Sequence, residues 1–252
     1  MKDVRLCHMK ILGSDLDGTL SQGGVGEAKC AAVHAWRAAG HKFGIISGRG
    51  GDYIQEIRRI YPALELDFFA ACNGGYITDC DGRVLHEVRC TEVSVPRLVA
   101  DLAAWGCGHV NICCAQTWSL KLPAAEDRVS DIPGIPNVEY FNQISTAIEP
   151  VEVTRQVVER IRETYGEWLN PLQNGCCIDI VPREVNKAKG MYFVMELFGG
   201  SYEDVLVVGD NVNDADMIRE FRSYAMSNGV ESIKKIADAI VDDVTDLLEM
   251  EM

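Results

Sequence analysis

The chain has 252 residues, 47% of them hydrophobic and 25% charged, the balance of one large or two modest soluble domains with real cores. Its formal net charge of -14 argues against a nucleic-acid partner, which is held by clustered Lys and Arg, and against an anionic membrane surface. A small phosphorylated ligand fits such a chain only where a local cation or a metal ion offsets the charge. The 10 cysteines include no Cys-x-x-Cys, so they read as reduced, mostly buried thiols of a cytoplasmic protein rather than zinc or redox ligands. The N-terminal Met1-Lys2-Asp3-Val4-Arg5 leads into no signal-peptide apolar region, and no apolar run reaches membrane-spanning length.

Lys10 to Ser14 predicts a short strand that runs into Asp15-Leu16-Asp17-Gly18-Thr19-Leu20. Glu27 to Ala39 predicts a helix with Ala28, Ala32, Trp36 and Ala39 along one stripe, ended by Gly40. His41 to Ser47 is a buried strand closed by Gly48-Arg49-Gly50-Gly51; Ile54, Ile57 and Ile60 then mark a helix that Pro62 stops. Phe68 to Cys72 is a third strand, followed by Asn73-Gly74-Gly75. Strands alternating with helices imply parallel βαβ units.

The rhythm then changes. Tyr76 to Val88 predicts a hairpin turned at Asp81-Gly82, and a helix follows near Val95 to Trp105. His109 to Ala115 and Thr117 to Leu122 are strand-like, Asp131 to Pro136 is a loop, Val151 to Tyr165 is helical, and Cys176 to Val181 is a strand closed by Pro182. Mixed hairpins and helices mark an α+β insertion. The parallel pattern returns with a helix over Met191 to Phe198 and an apolar strand over Val205 to Val208. A helix over Asp214 to Phe221, short strands at Ser223 to Met226 and Ala239 to Val241, and an acidic terminal helix with Val244, Leu247 and Leu248 inward complete the chain.

Three polar clusters sit at the C-terminal ends of predicted parallel strands: Asp15 with Asp17, Ser47-Gly48-Arg49, and Asp210 through Asp214. That edge is where open parallel sheets bind ligands. Asp15 and Asp17 point the same way in extended chain, and two crowded carboxylates call for a cation between them or a proton on one. Hard oxygen donors plus substrate phosphate suit magnesium. Taken singly, each has a bland reading: a solvated turn for Asp15-x-Asp17, a helix cap for Asp214 or Ser47, a solvated charge for Lys187 or Lys189.

Taken in order, Asp15-Leu-Asp17-Gly-Thr19-Leu, Ser47-Gly-Arg49, Lys187 and Gly209-Asp210-x-x-Asn213-Asp214 resemble the four signature motifs of the haloacid dehalogenase superfamily of phosphatases. Asn73-Gly74-Gly75 and an insertion of roughly a hundred residues resemble its Cof-type branch. The resemblance implies an α/β, Rossmann-like core with a parallel sheet over residues 1–82 and 184–252, and an inserted α+β cap over 83–183. It implies Asp15 as nucleophile and Asp17 as general acid and base. Magnesium would be held by Asp15, the backbone carbonyl of Asp17, and Asp210. Lys187, rather than Lys189 two residues on, would neutralise charge; Ser47, Gly48, Arg49, Asn73, Gly74 and Asn213 would face the phosphate or the metal's waters; Asp214 would support from behind. The implied reaction is hydrolysis of a small phosphorylated metabolite such as a sugar phosphate. A phosphohexomutase of the same fold and a catalytically inactive phosphate-binding protein are the alternatives.

Overall fold

The computed structural model describes residues 8–124 and 132–252. The N-terminal segment and Asp131, at the head of the expected loop, lie outside them. In chain order the elements are β1 (Ile11–Ser14), α1 (Glu27–Ala38), β2 (Lys42–Ile46), α2 (Tyr53–Ile60), β3 (Phe68–Ala71), β4 (Tyr76–Thr78) and β5 (Val84–Glu87). Next come α3 (Val95–Ala104), β6 (His109–Cys113), β7 (Thr117–Lys121), β8 (Gln143–Ala147), α4 (Val151–Tyr165), β9 (Leu169–Asn174) and β10 (Cys177–Pro182). The chain closes with α5 (Lys187–Phe198), β11 (Val205–Gly209), α6 (Ala215–Glu220), β12 (Arg222–Met226), α7 (Glu231–Lys234), β13 (Ala239–Val241) and α8 (Val244–Glu251).

The strands form two sheets. The larger has the order β13-β12-β11-β1-β2-β3-β4-β5, parallel from β13 through β3 and antiparallel at the β4–β5 hairpin. The smaller is antiparallel, in the order β7-β6-β8-β10-β9. The expected break at residue 83 cuts through the β4–β5 hairpin, whose second strand belongs to the larger sheet. Pairing across a tight turn holds Val84–Glu87 there, whatever the change of rhythm in sequence.

Strand alternation explains how the larger sheet buries both faces. In β11, Leu206 and Val208 join Leu12, Val33, Trp36, Ile54, Leu247 and Leu248 under α1, α2 and α8. Val205 and Val207 join Ile11, Met191, Val194, Met217 and Ile233 under α5, α6 and α7 on the other side. The smaller sheet has its own core: Val110, Ile112, Ile144, Ile178 and Ile180 pack against α3 and α4. Trp105 and Trp118 pack onto that cluster.

Several local readings shift. The inward face of α1 is Lys29, Val33 and Trp36, while Ala28 and Ala39 are exposed. Lys29 turns inward because its ammonium donates to the Leu20 carbonyl at 2.9 Å and pairs with Asp243 at 3.1 Å. Helix α5 begins at Lys187, not Met191, because Asn186 Oδ1 caps the Lys189 amide at 2.9 Å. Strands β8 and β9 carry too many polar residues, Gln143 to Ala147 and Leu169 to Asn174, for an apolar-run reading to find them.

The C-terminal helix is tied to the sheet by one buried acid. Glu251 takes hydrogen bonds from Lys10 at 2.9 Å, from Tyr224 and from Arg222. Burial alone would raise its carboxyl, but the Tyr224 and Lys10 hydrogen bonds outweigh burial and hold it below the ordinary value of 4.5. A lowered folded value adds stability above the unfolded value, and that stability is lost as pH falls through the folded one. Glu251→Gln is expected to cost about 1–3 kcal/mol at pH 7, with the gap to wild type narrowing below pH 4.5; denaturant unfolding at the two pH values measures it.

Candidate active site

The parallel ladder brings the motif residues together. Ser14 of β1 lies in register with Val208 of β11 and Ile45 of β2, so the residues just past those strands share one rim. The Asp15 amide donates to the Val208 carbonyl at 2.9 Å, which extends the ladder to the acid itself. Lys187 arrives from the first turn of α5 and is fully buried. Its ammonium donates to Asp15 Oδ1 at 2.6 Å and to Asp214 Oδ1 at 2.5 Å. The competing lysine, Lys189, is exposed.

Asp214 is not a cap for the helix that follows. Its Oδ2 accepts from the amides of Asp210 and Asn211 at 2.9 and 3.0 Å, while Oδ1 takes Lys187. Asp210 accepts from Thr19 Oγ1 at 2.8 Å and lies against the Asp17–Gly18 turn. A Cβ on Gly18 would come within 2.5 Å of Asp210 Oδ2, and its φ of 86° is a left-handed value, so glycine is required there twice over. Asn228 donates to the Gly18 carbonyl at 2.9 Å and braces the same turn. Thr19 lay inside the first motif without an assigned part, and Asn228 carries no sequence signal; only the packing names them.

Asp15, Asp210 and Asp214 present oxygens within 4.8 Å of one another against the single ammonium of Lys187. Burial pushes the Asp15 carboxyl up, Asp214 and Asp210 add to that, and Lys187 opposes. Burial likewise raises Asp210, helped by Asp214 and opposed by Thr19. For Lys187 burial is outweighed by Asp15 and Asp214, and the group is pushed up. A cluster of hard oxygens short of positive charge fits a divalent cation by number, donor type and electrostatics.

Beyond these acids opens a cleft of about 770 Å³ lined by both sheets, with Asp15, Asp17, Ser47, Gly48, Arg49 and Asn213 at its floor. The Asp17 side chain turns away from the buried cluster. Both of its oxygens accept from Arg49, at 2.9 Å each, and the guanidinium lies over the Tyr53 ring at 4.9 Å. Ser47 Oγ accepts the Arg49 amide at 3.2 Å, which leaves its own proton free to donate. Asn213 reaches the cleft but not Lys187, whose partners are the two carboxylates. Asn73 and Gly74 are not among the residues that line the cleft. Asn73 is fully buried, donating to Gln143 at 2.9 Å and Asp179 at 2.8 Å, and Gly74 packs against Gly190.

A family model for haloacid dehalogenase-like hydrolases matches residues 12–247. The chain belongs to that family. The 5-amino-6-(5-phospho-D-ribitylamino)uracil phosphatase YbjI of Escherichia coli is 24% identical over 243 residues, covering 89% of this chain and 88% of that enzyme. The phosphoglycolate phosphatase of Methanopyrus kandleri is 28% identical over 116 residues, so that match spans 46% of this chain and only 48% of that enzyme. A haloacid dehalogenase-like hydrolase from B. subtilis shares the fold, with a TM-score of 0.78 at 18% identity over 96% of this chain and 99% of that one. This chain is thereby a hydrolase of the phosphatase type. Among the described residues no helix is long and apolar enough to cross a membrane.

Removing Lys187 leaves two buried carboxylates facing each other. Lys187→Met is expected to lower stability by about 3–5 kcal/mol, as for a broken buried ion pair, and equilibrium unfolding checks it. A loss under 1 kcal/mol would mean that the acids are not held by this ammonium.

Proposed function

We propose that the chain catalyses magnesium-dependent hydrolysis of a small phosphomonoester through an aspartyl-phosphate intermediate. The observation that carries this reading is the placement of Asp15: buried, on Lys187 at 2.6 Å, beside Asp210, and at the floor of the cleft. An oxygen of Asp15 attacks phosphorus while the bond to the leaving oxygen breaks. Asp17 gives that oxygen a proton, then takes one from the water that attacks the phosphorus of the aspartyl phosphate. Phosphate leaves and Asp15 is restored.

Each neighbour has a part in this proposal. Lys187 balances the charge that Asp15 and the phosphoryl group bring together. The free proton of Ser47 donates to a phosphoryl oxygen. Arg49 holds Asp17 in an exposed bidentate pair, an arrangement worth about 0–1 kcal/mol and therefore easily exchanged for a substrate phosphate oxygen. Asp15, Asp210 and the Asp17 carbonyl would hold the magnesium, which when bound neutralises phosphoryl charge and orients the group for in-line attack. Asn213 faces the same floor.

Magnesium is expected to raise the thermal midpoint of the purified protein, by up to about 2.7 kcal/mol of stability at a hundredfold excess over its dissociation constant. Asp210→Asn should lose most of that gain. Asp15→Asn is expected to reduce phosphate release by about 10³-fold or more. Because burial makes the Asp15 charge unfavourable, the same variant should keep or raise the midpoint. Substantial turnover in Asp15→Asn would sink the covalent route.

A further inference from the structure

Alternation in the smaller sheet decides what faces the cleft. Val110, Ile112, Ile178 and Ile180 point to α3 and α4, so His109, Asn111, Cys177 and Asp179 point the other way, into the cleft. Among the described residues that line it, Arg49 is the one Lys or Arg, and its guanidinium is already paired with Asp17. The rest of the lining includes the carboxylates Asp52 and Glu56 and the polar Asn111, Ser145 and Asn174, beside His109, Cys113 and Cys177. Ser145 is the direct cross-strand neighbour of Asp179 and Asn111 the next one over.

Asp179 is the best placed of these. It overlies the floor, since a Cβ on Gly48 would come within 2.5 Å of its Oδ2. The same oxygen accepts from Asn73 Nδ2 at 2.8 Å, and that amide also holds Gln143, whose Nε2 donates to the Gly48 carbonyl at 2.7 Å. The carboxylate is thus fixed from behind by a buried network, with Oδ1 free of any donor among the described residues. Burial pushes its carboxyl up to about 6, which leaves it largely ionised at neutral pH.

We infer that Asp179 is a specificity-determining residue that accepts a hydrogen bond from a hydroxyl or amino group of the leaving group and rejects leaving groups carrying a second anion. The inference rests on the phosphatase reading and sharpens it. It also separates the two kinds of relative: a glycolate leaving group brings a carboxylate to this wall, whereas a ribityl group brings hydroxyls. An anion here would meet the Asp179 carboxylate, in a cleft that Asp52 and Glu56 also line and whose one Lys or Arg among the described lining residues, Arg49, is paired with Asp17.

Glycerol 3-phosphate and 3-phosphoglycerate differ by one terminal group, hydroxymethyl against carboxylate, and so isolate the effect. With magnesium present, wild type is expected to show kcat/KM at least tenfold higher for glycerol 3-phosphate. Asp179→Asn should bring that ratio to within about threefold of one, mainly through KM. A wild-type ratio near one, or one that favours phosphoglycerate, overturns the inference without any variant. So does a ratio that Asp179→Asn, folded by circular dichroism, leaves unchanged. Acetyl phosphate, too short to reach the wall, separates the two failures. If wild type hydrolyses it while the ratio is flat, this inference alone falls; if wild type does not, the phosphatase reading falls and the inference with it.

Discussion

A lysine ammonium buried between two aspartates is the interaction around which the site is built. Lys187 is fully buried, an arrangement a protein tolerates only when the charge is paired and hydrogen-bonded. Its two partners come from opposite ends of the chain: Asp15 follows β1, and Asp214 precedes α6. Satisfying that one charge therefore fixes the start of α5 against the rim of the larger sheet. The cap on α5 by Asn186 and the close packing of Gly74 on Gly190 serve the same placement, because both set how near α5 can approach.

From that constraint the rest of the floor follows. Asp214 uses one oxygen on Lys187 and the other on the amides of Asp210 and Asn211, so the loop after β11 is shaped by the acid that pairs with the lysine. Asp210 is then delivered to the Asp17–Gly18 turn, where Thr19 holds it. Burial raises Asp15 and Asp210, and the neighbouring carboxylates, which outnumber the ammonium, add to it. The imbalance favours whatever brings further positive charge, which is the electrostatic reason such a pocket suits a divalent cation. Asp17 stands outside the imbalance, with both side-chain oxygens on Arg49 rather than among the buried acids.

The second sheet completes the cleft by direct contacts with the first. Asn73 bonds Gln143 and Asp179, Gln143 bonds the Gly48 carbonyl, and Asp52 receives the Thr117 amide and hydroxyl at 3.1 and 2.7 Å. Buried polar groups of this kind need their partners, so the contacts specify how the two sheets meet. Asn73 is a clear case. The family resemblance implies a phosphate ligand there, and the structure has its amide nitrogen donating to Gln143 and Asp179 of the neighbouring sheet.

Sequence by itself determined the elements that depend on local pattern. The apolar runs at Ile11, Phe43, Phe68 and Val205, the helix between each pair of strands, and polar residues at the strand ends gave the parallel sheet and the rim that carries Asp15, Ser47 and Asp210. Lys187 is preferred to Lys189 for its place directly after the loop that follows the Pro182 strand, and it is the buried one of the two. Tertiary structure decided what depends on distant partners. Lys29 turns inward for carbonyls nine and seven residues back, β8 and β9 are strands because neighbours pair with them, and Asp17 faces Arg49 across 32 positions. Asp179 is the instructive residue. Its alternation with Ile178 and Ile180 was visible in the chain, but which face was the cleft required the α3 and α4 helices to cover the other. Periodicity assigns residues to two faces; only packing tells them apart.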